Sequence, residues 1–254
     1  MGTSVTGTPG EREERDWQVL GQTDPLWAVL MKPGTKNGGW DPEEFLATGR
    51  AEVGGVLEHI AALGLAPGRQ TAVDFGCGAG RTAIALSASF DEVIGIDISE
   101  GMLATARSLA PEGSGLRFVR AEGPGTGLAA IPDDSVDLVY SSLVIQHMPA
   151  DLGREALAEM ARVLRPGGVV AVQVTTETLR NAKGYMFKYL PRPILRFGQR
   201  VVLRYPAPMR MQAVPAETVA TAFARYGVQV RDRVEDTSYG GHWRYHRYYG
   251  VKPR

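Results

Sequence analysis

The chain has 254 residues, 44% of them hydrophobic and 22% charged, with 28 basic against 28 acidic side chains. Such a composition can bury a full core and excludes general disorder, while zero net charge argues against a protein whose task is to hold nucleic-acid phosphates. A single cysteine, Cys77, excludes an intramolecular disulfide framework and a cysteine-built zinc cluster, and fits a reducing cytoplasm.

Residues 1–16, rich in Gly, Thr, Glu and Arg, lack the apolar stretch of a secretory signal and read as a flexible tail. No apolar run approaches the roughly 18 residues needed to cross a bilayer, so no stable membrane insertion is expected. Residues 17–66 read as a helical N-terminal cap. Within it, Asp41-Pro42-Glu43-Glu44 puts a carboxylate at an N-cap, proline at the first helical position and Glu at the third, which starts a helix running toward Leu63.

From Thr71 onward short apolar runs alternate with helical segments, the pattern of a parallel sheet built by βαβ crossovers. Strands are predicted at Thr71 to Phe75, Glu92 to Asp97, Leu116 to Ala121, Val136 to Ser141 and Gly168 to Val174. The crossover helices are Arg81 to Ser89, Gly101 to Ala110, with Ser99 as its N-cap, and Leu152 to Leu164. Leu164-Arg165-Pro166-Gly167-Gly168 turns the last helix into the fifth strand. Residues 67–175 thus form an α/β core. An insertion follows at 176–214, then 215–254 with a helix from Pro215 to Tyr226 and strands at Val228 to Val234 and Tyr245 to Val251.

The insertion carries Arg180, Lys183, Lys188, Arg192, Arg196, Arg200, Arg204 and Arg210 interleaved with aromatic residues, and no acid between Glu177 and Glu217. It reads either as a solvated amphipathic cap or as a lid over an acceptor site. As a lid, its basic residues favour an anionic substrate, such as a carboxylate or phosphate, or a membrane surface.

Val73-Asp74-Phe75-Gly76-Cys77-Gly78-Ala79-Gly80-Arg81 is an apolar strand ending in an acid, followed by three alternate glycines that open a helix. Glycines allow a tight turn and close approach to a ligand. A dinucleotide-binding loop would place its third glycine after a two-residue gap, where Arg81 stands, and the acid beside the loop favours a cationic ligand. Asp97 ends the next strand, where a carboxylate can accept ribose hydroxyls, and Glu122 follows the third, within reach of an exocyclic amino group. In open α/β sheets ligands bind at these carboxyl ends, so the acids face one crevice.

In these motifs the chain resembles the class I S-adenosylmethionine-dependent methyltransferases, in particular a bacterial small-molecule branch. Asp74, Gly76, Gly78 and Gly80 match the family's first motif and Asp97 its ribose-binding acid, with Ile98 and Met102 where adenosine usually packs. Glu122 stands where the adenine-side acid is normally Asp. Asp137 to Ser142 match the fourth-strand motif, Val144 to Met148 the "LQH" stretch and Leu164 to Gly168 the LxPGG turn. The resemblance implies a Rossmann-like fold with a seven-stranded, mostly parallel sheet, helices on both faces, a helical N-terminal cap and an insertion after the fifth strand. It assigns S-adenosylmethionine as cofactor, held by those residues together with Cys77 and Ser141. Arg50 is either a further contact, to the methionine carboxylate, or a surface arginine. His147 is either a general base for the acceptor or a residue that fixes its loop, and Gln146 shares that ambiguity.

Tyr140-Ser141-Ser142-Leu143 lacks the Asn/Asp-Pro-Pro-aromatic motif of nucleic-acid amino methyltransferases, the cysteine of cytosine-C5 enzymes and the carboxylates of magnesium-dependent catechol enzymes. No metal and no nucleic acid are therefore expected. The resemblance implies methyl transfer to an oxygen or nitrogen of a small molecule, such as a natural-product intermediate or a sugar, by a monomer or homodimer. Two rivals stand beside it: a cofactor-binding enzyme that catalyses a non-methylating cyclisation, decarboxylation or rearrangement, and a noncatalytic binding module on the same fold.

Overall fold

The computed structural model describes residues 8–121, 126–239 and 242–254. Its elements follow the chain as α1 (Pro9–Thr23), α2 (Pro25–Val29), α3 (Pro42–Ala62), β1 (Thr71–Phe75), α4 (Arg81–Leu86), β2 (Glu92–Asp97), α5 (Glu100–Leu109), β3 (Leu116–Arg120) and β4 (Val136–Ser141). After these come α6 (Ala150–Val163), β5 (Leu164–Thr178), α7 (Ala182–Tyr189), α8 (Arg192–Val201), α9 (Ala216–Ala224), β6 (Gln229–Asp236) and β7 (Trp243–Val251). Among the described residues, no helix is long and apolar enough to cross a membrane.

One seven-stranded sheet has the order β3-β2-β1-β4-β5-β7-β6, with β1 to β5 parallel and β7 antiparallel to both its neighbours. Strand order reverses beside β1, which pairs with β2 on one side and β4 on the other, so a crevice opens at the carboxyl ends there. The strands are apolar on both faces because helices cover both. Val73 and Phe75 pack on the α6 and α9 side, while Ala72 faces the α3 and α4 side; Val139 and Leu138 divide in the same way. Alternation with period two thus feeds two cores from one run of residues.

A third cluster joins Leu20, Trp27 and Phe45 of the N-terminal cap to Ala79 of the glycine loop, Met102 of α5 and Met209 of the insertion. Cap and insertion therefore meet over the strand ends. The tail expected over 1–16 is helical from Pro9: Thr8 accepts from the Glu11 amide while the Glu11 side chain accepts from the Thr8 amide, a reciprocal cap that removes two unpaired donors. Glu13 and Asp16 of α1 then pair with Arg210 and Arg196 of the insertion, a long-range partnership that local composition does not reveal. Pairing of β5 begins at Leu164 rather than Gly168, because the turn residues run along β4 through a register shift between Val136 and Leu138.

Candidate functional site

Gly76, Gly78 and Gly80 all have positive φ, at 74°, 52° and 85°. Space as well as conformation requires them. A Cβ at Gly76 would lie 2.2 Å from Val144 Cγ2, at Gly78 2.6 Å from Val29 Cγ2, and at Gly80 2.8 Å from Ala106 Cβ. The amides of Gly76 and Cys77 both donate to the Ile96 carbonyl, at 2.7 and 3.0 Å, which pins the loop onto the end of β2.

Asp97 ties the same joint from the other side. Its Oδ2 accepts from the Gly78 amide and its Oδ1 from the Ser99 amide, each at 2.9 Å. A carboxylate offers about four acceptor sites, so the two oxygens keep capacity for hydroxyl donors in the cavity that Asp97 lines. Burial raises its pKa, against the lowering effect of these amide bonds.

The cavity measures about 1520 Å³, more than the roughly 300–1,000 Å³ usual for a single small-molecule site. One end is walled by Phe75, Gly76, Cys77, Gly78, Asp97, Ile98 and Met102. The other is walled by the insertion through Phe187, Leu195, Met209, Met211 and their neighbours. Ser142, Gln146 and His147, from the segment after β4, also line the cavity.

His147 Nδ1 donates to the Arg210 carbonyl, and the Trp17 ring meets the imidazole edge-on with centroids 5.2 Å apart. This bond fixes the tautomer and leaves Nε2 as an acceptor. Burial lowers the imidazole pKa to about 4, so the ring is neutral at physiological pH. Gln146 is fully buried, and its side-chain nitrogen and oxygen have no hydrogen-bond partner although the residue lines the cavity. An orphaned carboxamide in a cavity wall is what a polar ligand group would complete.

Several expected residues take other places. Asp74 lies beneath the loop, 1% exposed and outside the cavity wall, where its Oδ2 accepts from Thr82 Oγ1 at 2.7 Å. Burial pushes its pKa up to about 7. Ser141 is fully buried and donates to the Phe75 carbonyl at 2.9 Å, while Ser142 reaches the cavity instead. Gly80 caps α4 and packs on Ala106 without lining the cavity. Arg50 is exposed, paired with Glu43 and absent from the wall; the arginine that does line it is Arg81. Glu122 lies outside the described residues. Cys77 is buried in the loop, and burial raises its thiol pKa, which suits a space-filling residue rather than a nucleophile.

An Asp74 pKa near 7 in the folded chain has a pH consequence. Between about 3.8 and 7 the folded state holds a proton that the unfolded state releases, so this group's contribution to stability falls as pH rises across that window. Asp74→Asn, which keeps an acceptor for Thr82, should flatten that part of a urea-midpoint profile. An unchanged slope would contradict the burial argument.

Sequence reasoning passed over a charged centre behind this wall. Glu52 of α3 accepts from Arg81 at 2.6 Å, Arg247 at 2.7 Å, Tyr239 at 2.6 Å, Ser142 at 2.7 Å and the Tyr140 hydroxyl. Burial alone would raise its pKa, but the fields of Arg81 and Arg247, helped by the tyrosine bonds, carry it well below the usual carboxylate range. One sign was available in the sequence. Glu52 falls on the face of α3 that buries Gly49, Val53 and Val56, where a charge needs partners.

A seven-stranded sheet of this order, with a glycine loop and a carboxylate at adjacent strand ends, is an α/β fold of the methyltransferase type. Residues 73–172 match the family model described as a methyltransferase domain, and in its fold and motifs the chain is similar to the class I S-adenosylmethionine-dependent methyltransferases. It is 30% identical over 191 residues to trans-aconitate 2-methyltransferase of Methylobacterium nodulans, covering 74% of this chain and 65% of that protein. To malonyl-[acyl-carrier protein] O-methyltransferase of Methylococcus capsulatus it is 40% identical over 123 residues, 47% of this chain and 42% of that one. The chain thus spans less than two thirds of the length of either relative. The fold is similar to a solved magnesium protoporphyrin IX methyltransferase from Synechocystis PCC 6803, with a TM-score of 0.61 at 17% identity, over 94% of this chain and 99% of that one.

Proposed function

We propose that the chain transfers a methyl group from S-adenosylmethionine to an oxygen or nitrogen of a sizeable, mainly apolar small molecule. The observation that carries this reading is the single cavity that runs from the glycine loop and Asp97 to the apolar inner wall of the insertion. The chain's residues fit the cofactor. Its loop positions exclude any Cβ, Asp97 retains free acceptor capacity for ribose hydroxyls, and Ile98 and Met102 offer apolar surface to a base. When bound, S-adenosylmethionine supplies an electrophilic methyl on a sulfonium.

The remaining work falls to orientation and water exclusion, which remove much of the entropic barrier to a reaction between two held molecules. α1, α2 and the insertion roof the cavity. Lys36 Nζ fastens this roof by donating to the carbonyls of Leu203 and Arg204 at 3.0 and 2.7 Å. The neutral Nε2 of His147 accepts a hydrogen bond from an acceptor hydroxyl or amine, and the Gln146 carboxamide meets a second polar group. His147 works as an orienting acceptor more than as a strong base, given a pKa near 4.

An anionic acceptor fits the cavity less well than an apolar one. Among the described residues, no charged side chain of the insertion lines the cavity, and Arg196 and Arg210 are turned to Asp16 and Glu13. The basic surplus of residues 176–214 thus serves partly to hold the roof.

Calorimetry with S-adenosylmethionine and S-adenosylhomocysteine should show binding of both, and mass spectrometry after incubation with hydroxylated apolar aromatics should show a gain of one methyl. Absence of binding by either nucleoside would overturn the proposal. His147→Ala should lower kcat by about tenfold to a hundredfold, the worth of one oriented hydrogen bond, while leaving the affinity for S-adenosylmethionine unchanged. An unaltered kcat would leave His147 as a loop-fixing residue.

A further inference from the structure

α8 is built with its polar side against the protein. Arg196 pairs with Asp16 of α1 at 2.8 Å, and the buried Gln199 both accepts from the Met209 amide and donates to the Met209 carbonyl, each at 3.0 Å. These bonds turn the apolar side outward: Ile194, Phe197, Val201 and Val202 are 52, 64, 55 and 74% exposed, and Leu203 continues the surface at 50%. An amphipathic helix gains stability in water by burying its apolar stripe, so the reverse arrangement calls for something to cover that stripe.

The patch is also the mouth of the cavity. Ile194, Val202 and Leu203 line the cavity as well as facing out, joined by Met31 of the N-terminal cap, itself 49% exposed. Along α8 and its flanks the charge contributed by residues 178–216 is of one sign, while the acids that line the cavity, Glu11, Glu13, Glu14 and Asp151, come from α1 and α6. Arg192 and Arg204 are exposed, and residues 178–216 contain no acid. Two copies of the chain meeting through this face would set arginine against arginine with no carboxylate from 178–216 to pair them, since a two-fold contact joins a patch to itself. A bilayer bearing anionic headgroups meets both requirements, with acyl chains for the apolar face and phosphates for the arginines.

We propose that α8 and the adjoining residues 201–204 dock the protein on an anionic lipid surface, with the cavity mouth opening onto the bilayer. An apolar acceptor would then enter from the membrane without crossing water. That entry route rests on the methyl-transfer reading above, whereas the docking does not.

Flotation with vesicles of phosphatidylcholine alone and of phosphatidylcholine mixed with phosphatidylglycerol tests the docking. The protein should float with the mixed vesicles, less so as salt rises, and weakly with phosphatidylcholine alone. The double variant Phe197→Glu with Val201→Glu, neither of which lines the cavity, should lose flotation and keep its urea midpoint and its affinity for S-adenosylmethionine. Arg192→Glu should weaken binding by about fivefold to tenfold. The proposal is overturned if the intact protein does not float with mixed vesicles, or if the double variant floats equally. It is also overturned if sedimentation without lipid shows a dimer that the double variant dissociates, which would make the face a self-interface. Flotation by a protein that binds no S-adenosylmethionine would count against the methyl-transfer reading alone. Nucleoside binding without flotation would count against the docking alone.

Discussion

Glu52→Ala is expected to destabilise the protein by about 3–5 kcal/mol, measured as a shift of the urea unfolding curve, because it strips a buried anion from two buried guanidiniums. The side chains of Arg81 and Arg247 are only 4% and 6% exposed, and Arg247 alone keeps a second carboxylate, Asp236, at 3.0 Å. Such a loss is a large share of the ~5–15 kcal/mol that holds a typical domain together. Glu52→Gln keeps one acceptor oxygen and should cost less. The pH dependence has a definite sign: the folded pKa of Glu52 lies below its ordinary 4.5, so its contribution is present in full above that value and is lost as pH falls toward the folded one. Wild type should therefore lose more stability than Glu52→Ala on acidification below about 4.5. A shift under about 1 kcal/mol at neutral pH would mean that the network relaxes around the missing carboxylate.

Asp97→Ala should weaken binding of both S-adenosylmethionine and S-adenosylhomocysteine by about tenfold to a hundredfold, as expected when a charged acceptor is removed. Two effects combine. The ligand loses the carboxylate, and the Gly78 and Ser99 amides lose the acceptor that holds the loop to β2. Asp97→Asn retains one oxygen and should fall between. If calorimetry found the Asp97→Ala affinities within about twofold of wild type, Asp97 would hold the loop without holding a ligand.

Much of the core was legible because its determinants are local. Predicted β1, β2 and β4 have the bounds observed, since each is a short β-branched run stopped by turn residues. The N-cap at Asp41 was equally plain, its carboxylate accepting from the Glu44 amide at 2.9 Å. The glycine loop could be read residue by residue, because positive φ leaves so few alternatives. Roles were harder than places. Asp74 shares a motif with the glycines yet bonds to Thr82 beneath them, and Ser141, the last residue of β4, bonds to the Phe75 carbonyl while its neighbour Ser142 bonds to Glu52. Arg50 reads in the sequence as an inward cation or a surface arginine, and packing puts it at the surface against Glu43, while Arg81, which carries no such expectation, is held inward against Glu52.

The sequence by itself determined the βαβ order, the strand-end acid and the glycine loop, since periodicity and glycine stereochemistry act within a few residues. Only the tertiary structure decided that α1 is ordered, that Glu52 sits among Arg81, Arg247 and Tyr239, and that α8 turns its apolar side outward. Each of those depends on charges far apart in the chain: Asp16 with Arg196, and Glu52 with Arg247. A buried or half-buried charge selects its partner by proximity in space, and no local pattern records that choice.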